Sequence, residues 1–251
     1  MFTRKSIFYF PLSITIFWIF TVVNAHGQSL IVGIPSANVA HKNKLELTHE
    51  SQFNWWQGDL KWNSFNFLCY GLNDRTELTL SFNNLSSPAS GNLTLGAGFK
   101  HIFPIFKASP RAELKLTVGS NALISVQNRG VGGWVYSHVS GRLPGLRTRL
   151  TGGLSYGTEQ AFGFRSIRSS FTGAEMVQPL RPLCVIAGIE QPIVGHLSLI
   201  ADWFSGTHDL AAFIAAAQYD TPRITYIAGF KRANNPNSGV NSLIIEMMYR
   251  F

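Results

Sequence analysis

The sequence predicts a closed, antiparallel, up-and-down transmembrane β-barrel of about twelve strands, and three observations carry that expectation. Apolar and polar residues alternate with period two through most of the chain after residue 43. The chain finishes on a strand-like stretch, residues 241–251, with Leu243, Ile245, Met247, Tyr249 and Phe251 on one face. An apolar final strand with a free edge invites aggregation, and pairing it with the first strand of a barrel in lipid removes that edge. Finally, the chain opens on an export-type leader, and no later window has the length and apolarity of a membrane helix.

The leader comes first. Arg4 and Lys5 precede the apolar run 7–23, and Val23-Asn24-Ala25 places the cut after Ala25. Pro11 inside the run and the small residue at its exit favour a cleaved signal peptide, residues 1–25, over a retained anchor. Residues 26–42 then read as a periplasmic lead-in, and 43–251 as the barrel.

The strands follow in order. Leu45, Leu47 and Phe53 alternate with Lys44, Glu46, Thr48, Glu50 and Gln52. The same alternation recurs in segments near 44–53, 60–70, 75–82, 92–101, 113–123, 131–140, 146–157, 182–190, 196–204, 209–219, 223–232 and 242–251. Two of them are hard to phase. Residues 60–70 carry bulk on both faces, which predicts a bulge, and the alanines of 209–219 leave little contrast. An even strand number puts both ends of the barrel on the periplasmic side. Every second connection is then periplasmic: 71–74, 104–111, 141–145, 191–195 and 220–222, all but the second of them short. The longest external connection, 158–181, has the length to fold over or into the pore. A soluble sandwich shares the alternation, but its outer faces would be richer in charge than the Thr, Ser, Asn and Gly found here.

Composition narrows the function. Lys and Arg number 21 against 13 Asp and Glu, a formal charge of +8, yet charged residues are only 14% of the chain. No Lys/Arg run exceeds two residues, which argues against nucleic acid as a partner. Cys69 and Cys184 form no metal-binding spacing, and the histidines lack one too, so neither a metal nor another cofactor is expected. A Cys69–Cys184 disulfide is compatible with an oxidising compartment, but nothing requires it.

Lys44, Lys100, Lys115, Arg147, Arg149, Arg223 and Arg250 fall near the periplasmic ends of strands, as pore-lining candidates. Glu46, Glu77, Glu113 and Glu190 lie at similar height. The surplus of cations predicts a positive mouth and an anion preference if the lumen is open. Pairing of the two signs across a closed lumen is the competing reading.

One constellation suggests chemistry. His138 and Ser140 share a strand face, close enough for a base to activate a nucleophile. The pair resembles the His-x-Ser of outer-membrane phospholipases and lipid A deacylases, which continue with Asn, whereas Gly141 follows here. That strand descends, leaving His138 near the periplasmic end with no acidic or amide third member in view. A strand-end His and Ser with no catalytic role is the plainer account, so an enzyme is not expected.

The final strand, with Met247, Tyr249 and terminal Phe251, resembles the C-terminal signal that barrel-assembly machinery reads in bacterial outer-membrane proteins. Further stretches resemble an uncharacterised, cyanobacterial-type family of outer-membrane barrels. They are Ile34-Pro35-Ser36-Ala37, His49-Glu50-Ser51-Gln52-Phe53, Gly98-Phe99-Lys100, Ser137-His138-Val139-Ser140-Gly141, Glu190-Gln191-Pro192-Ile193 and Ala201-Asp202-Trp203-Phe204-Ser205-Gly206. A looser likeness is to the phenol-degradation-associated barrel transporters. Both resemblances imply a barrel in outer-membrane lipid, and the second implies uptake of hydrophobic solutes. The expected function is passage of small solutes. A non-conducting structural barrel with interacting external loops is the alternative, and a His138/Ser140 hydrolase comes third.

Overall fold

The computed structural model describes residues 30–54, 61–84, 93–109, 112–125, 130–143, 145–162, 166–168, 175–177, 182–235 and 240–251. The expected signal peptide lies outside these residues. Twelve strands close into one antiparallel barrel. They are β1 (Leu45–Asn54), β2 (Lys61–Asn73), β3 (Thr76–Asn83), β4 (Thr94–Ser109), β5 (Ala112–Ser125), β6 (Val131–Arg142), β7 (Arg149–Gly157), β10 (Leu183–Val194), β11 (Leu197–Phe204), β12 (Ala212–Asp220), β13 (Ile224–Ala233) and β14 (Ser242–Arg250). Between β7 and β10 lie a single helical turn, α1 (Glu159–Phe162), and a small hairpin of β8 (Ser166–Arg168) and β9 (Glu175–Val177).

The barrel closes where the sequence places the seam. β1 pairs with β14 from Glu46↔Arg250 to Phe53↔Leu243, and the Phe251 amide donates to the Leu45 carbonyl at 3.0 Å. Closure satisfies the backbone within the wall, which is what a lipid solvent demands. Side chains alternate across that wall: on β12, Phe213, Ala215, Ala217 and Tyr219 face out, while Ile214, Ala216, Gln218 and Asp220 face in and are buried. Leu47, Leu80, Val135, Leu154, Leu199 and Tyr226 are among the exposed apolar residues of the outer face. A barrel with an apolar exterior and a polar-containing interior is built for a membrane.

Two local expectations change. The turn expected over 104–111 is largely strand, because bulges near Ile105 and Ala108 let the β4–β5 ladder run on past Pro104. The bulge expected within 60–70 is absent: that stretch pairs regularly with β1, and the irregularity lies between Gly71 and Asn73. Bulk on both faces has another cause, since inward Phe67 fills part of the lumen.

The largest departure is at the start. Residues 30–40, part of the stretch 26–42 expected as a periplasmic lead-in, lie inside the barrel: Ile31, Ile34, Ser36, Ala37 and Ala40 are fully buried. Leu30 and Pro35 form an antiparallel bridge and the Ile31 amide donates to the Ile34 carbonyl at 2.8 Å, so the chain makes a tight turn within the lumen. It then descends to the mouth, where Lys42 bridges Gly71 and Asn43 takes a left-handed φ of 58° to enter β1. Gly71 is required there, because a Cβ would strike the His41 carbonyl oxygen.

Candidate functional site: the barrel lumen

The lumen wall has two characters. Along β10 to β14 an apolar arc of Ile186, Ile200, Ile214, Ile227 and Ile244 points inward, with Asp202, Lys231 and Glu246 set among it. Ile31, Val32 and Ile34 of the internal turn pack into this arc, and Gly188 opens the space for the first, since a Cβ there would crowd Ile31. Burying three such side chains is worth about 5 kcal/mol. The arc explains the weak contrast of 209–219: one face of that strand meets lipid and the other includes Ile214 and Ala216, which pack in the cluster that holds the internal turn.

The turn is also held by polar bonds. Asp202 Oδ2 accepts the amides of Val32 at 2.9 Å, Gly33 at 2.7 Å and Ile34 at 3.3 Å. Successive N–H groups converging on one oxygen form an anion nest, here filled by a side chain of the wall. Lower down, Glu77 Oε2 accepts the Ala40 amide at 2.8 Å, and its other oxygen pairs with Lys100 at 3.2 Å. Both members of that ion pair are fully buried, which is affordable only with the additional hydrogen bond.

Above the turn, the first residues of the 158–181 connection close the outer end. Phe162 stacks on His208 with centroids 4.5 Å apart and meets Phe204 edge-on at 5.3 Å. Gly157 makes this possible, because a Cβ would run into the Phe162 ring. His208 also reaches the Cys184 thiol, Nε2 to Sγ 3.4 Å. The cavity beside the turn is about 50 Å³ and is lined by Leu30, Thr48, Glu77, Asn121 and Tyr136 among others. That is room for a water or two at about 30 Å³ each, not for a solute.

The pore-lining candidates divide. Lys100, Lys115, Arg149 and Arg250 face inward, and each is in an ion pair. Glu113 gathers Lys115 at 3.0 Å, Arg149 at 3.3 Å and Arg142 at 3.6 Å, and Arg149 also reaches Glu190 at 3.3 Å. Arg250 lies 3.8 Å from both Glu46 and Asp220 and donates to Thr225 Oγ1 at 2.7 Å. Lys44, Arg147 and Arg223 are exposed outside the strands, in the entry to β1 and in two turns, so they do not line the wall. The residues missed from sequence are acidic. Glu50 and Glu246 face each other in register across the β1–β14 seam, with Asp202 as an electrostatic neighbour. Gln52 donates to Glu50 at 2.5 Å and Lys231 donates to Gln52 at 3.3 Å. Their signal was available as the inward positions of period-two strands.

Cys69 and Cys184 are not joined by a disulfide. They sit on β2 and β10, which lie on opposite arcs of the ring, so the barrel itself keeps them apart. His138 Nδ1 does meet Ser140 Oγ at 3.2 Å, and Ser140 meets Thr151 Oγ1 at 2.7 Å. Both His138 and Ser140 are buried toward the lumen, which gives a lipid no route to them. No group of three metal-ligating side chains occurs among the described residues.

Solved structures with the same architecture include the outer membrane protein Omp33 of Acinetobacter baumannii and the NanC porin. The first is 11% identical, covering 84% of this chain and 100% of that one with a TM-score of 0.50. The second is 12% identical, covering 82% and 98%, also at 0.50. The fold is that of bacterial outer-membrane barrels. A COG4313 outer membrane channel from Pseudomonas putida F1 matches more loosely, at 15% identity, 86% and 98% coverage and a TM-score of 0.47. No protein-family model and no curated protein sequence matches the chain.

Proposed function

We propose that this barrel is a small-solute channel whose lumen is closed by its own N-terminal turn. The observation that carries the reading is the attachment of residues 30–41. They fill the lumen through hydrogen bonds to Asp202 and Glu77 and through apolar contact, none of it covalent, so the blockage is reversible in principle. The isoleucine arc that receives the turn would become the wall of the open path. It supports small hydrophobic solutes as cargo, in line with the looser likeness to phenol-degradation-associated transporters. An anion preference loses its support, because the inward cations of the mouth are engaged in ion pairs and Glu50, Asp202 and Glu246 lie deeper. Met247, Tyr249 and Phe251 remain the segment we assign to recognition by the assembly machinery. The test is planar-bilayer recording of the full chain beside a variant lacking residues 30–41, with folding of both checked by heat-modifiable gel mobility. Frequent conductance steps only in the variant support the proposal. A folded but silent variant favours the second reading, a non-conducting structural barrel, which the packing of the turn against the isoleucine arc also fits.

A further inference from the structure

The outer wall carries a second His-x-Ser. Period two assigns Leu45, Leu47, His49, Ser51 and Phe53 to the lipid-facing side of β1, so His49 and Ser51 interrupt an apolar row. On β2, Trp62, Ser64 and Asn66 share that outer face, with Ser51↔Ser64 and His49↔Asn66 as register partners. Polar and ionisable groups on a lipid-facing wall are costly and mark function by default.

Their hydrogen bonds have a definite direction. Asn66 Nδ2 donates to the Phe82 carbonyl at 3.0 Å, which turns Asn66 Oδ1 toward His49 Nδ1 at 2.7 Å. An acceptor at that position requires the proton on Nδ1, leaving the Nε2 lone pair toward Ser51 Oγ at 2.9 Å. The Ser51 hydroxyl therefore donates to His49, and Oγ accepts the Trp62 indole N–H at 3.0 Å. Nucleophile, base and base-orienting group are within the distances that general-base catalysis requires. The order Ser, His, Asn is a variant of the triad logic found on unrelated folds.

We propose that His49, Ser51 and Asn66 form an acyl-ester hydrolase site on the outer wall, acting on lipids of the surrounding leaflet. Ser51 stands three residues before the strand's external end, about 7 Å below it at a typical rise and tilt, in the external half of the span. Ser51 Oγ attacks the ester carbonyl carbon as its proton passes to His49 Nε2. The carbonyl oxygen gains the negative charge, and Trp62 Nε1–H supplies a donor for it. The C–O bond breaks, His49 returns the proton to the leaving alcohol, and the acyl group stays on Ser51. Water, with His49 again taking its proton, attacks the acyl carbon and releases the fatty acid with Ser51 restored. Asn66 is a positioning residue that holds the required tautomer. At 7% exposure Ser51 lies beneath Trp62, whose ring runs parallel to Phe53, so the indole also sets access.

The test uses the full-length folded barrel in detergent and in vesicles of either phosphatidylglycerol or lipid A, with a fluorophosphonate as a substrate-independent serine probe. Labelling at Ser51 and fatty-acid release from at least one vesicle type are expected, and the vesicle that responds identifies the lipid. Ser51→Ala and His49→Ala should each lower release at least 100-fold with unchanged heat-modifiable mobility, while Ser140→Ala leaves it intact. Asn66→Ala should lower kcat about tenfold and shift the pH–rate profile, with recovery in Asn66→Asp, a response that loss of packing alone would not produce. Folded wild-type protein that neither labels nor releases fatty acid overturns the proposal, as does equal activity in Ser51→Ala.

Discussion

Asp202 Oδ2 lies 2.7 Å from the backbone nitrogen of Gly33, joining β11 to a turn 169 residues earlier in the chain. Two further amides share the same oxygen. Hydrogen bonds contribute about 1 kcal/mol each, so losing the three made to this acceptor should shift the plug equilibrium by about 100-fold. Asp202→Ala is expected to raise open probability in bilayer recordings, and Asp202→Asn, which keeps one acceptor oxygen, to raise it less. Unchanged gating in Asp202→Ala would mean that apolar packing alone holds the turn.

Selectivity follows from what the displaced turn uncovers. Glu50, Asp202 and Glu246 then face a wet lumen with Lys231 among them. A salt gradient across a bilayer holding the variant without residues 30–41 should give a reversal potential of cation sign. Glu50→Gln combined with Glu246→Gln should move it toward zero. Anion selectivity in the first variant would restore the expectation drawn from the basic mouth.

Gly33 offers a separate handle on the same turn. A Cβ there would come within 2.8 Å of Ile214 Cδ1, while Asp202 stays in place. Gly33→Val should expel the turn by crowding, at a cost of about 1–3 kcal/mol typical of overpacking. A protease added from the periplasmic side of proteoliposomes would then cut within residues 30–41 faster than in the wild type.

The outer closure should respond to acid. Burial between Phe162 and Phe204 pulls the His208 imidazole down to about 4 from its ordinary 6.5, with Lys231 adding to the shift. An opened loop binds a proton below pH 6.5 that the closed loop refuses, so closure weakens as pH falls from 6.5 toward 4 and is insensitive above. The protection of amides 205–211 against hydrogen exchange, taken relative to their intrinsic rates at each pH, should fall over that window, and His208→Phe should abolish the dependence.

At the closing seam, the Phe251 amide bonds Leu45 and its ring meets Tyr249 edge-on at 4.8 Å. Deleting Phe251 should reduce the heat-modifiable fraction recovered from outer membranes several-fold, with single-channel properties of the assembled remainder unchanged. Equal yields would count against an assembly role for this end.

Much of this was legible in the sequence because lipid is a demanding solvent. It forces apolar side chains to alternate outward, and the β1–β14 pairing is legible in Leu47 and Tyr249. What stayed hidden involves the chain meeting itself. Ile186, Ile200 and Ile214 carry no mark distinguishing contact with a buried turn from contact with a neighbouring strand. Lys44, Arg147 and Arg223 were placed on the wall because strand ends blur by a few residues, and there a slip of that size moves a charge into a turn. Asp202 carried no mark of its role, since its amide partners come from the far end of the sequence. His49 and Ser51 did leave a trace, as two polar residues where the outward row should be apolar.

The internal turn has a consequence for the order of construction. Residues 30–41 lead directly into β1, the strand that must wait for β14 before the wall can seal. The first and last described pieces of the chain thus converge on a single joint. A turn outside the ring when that joint zips shut would have to thread a mouth lined by the Glu113 and Arg250 ion pairs. The turn is therefore housed as the wall seals, and its later release from the lumen is slowed, not forbidden, by the charged mouth it must pass.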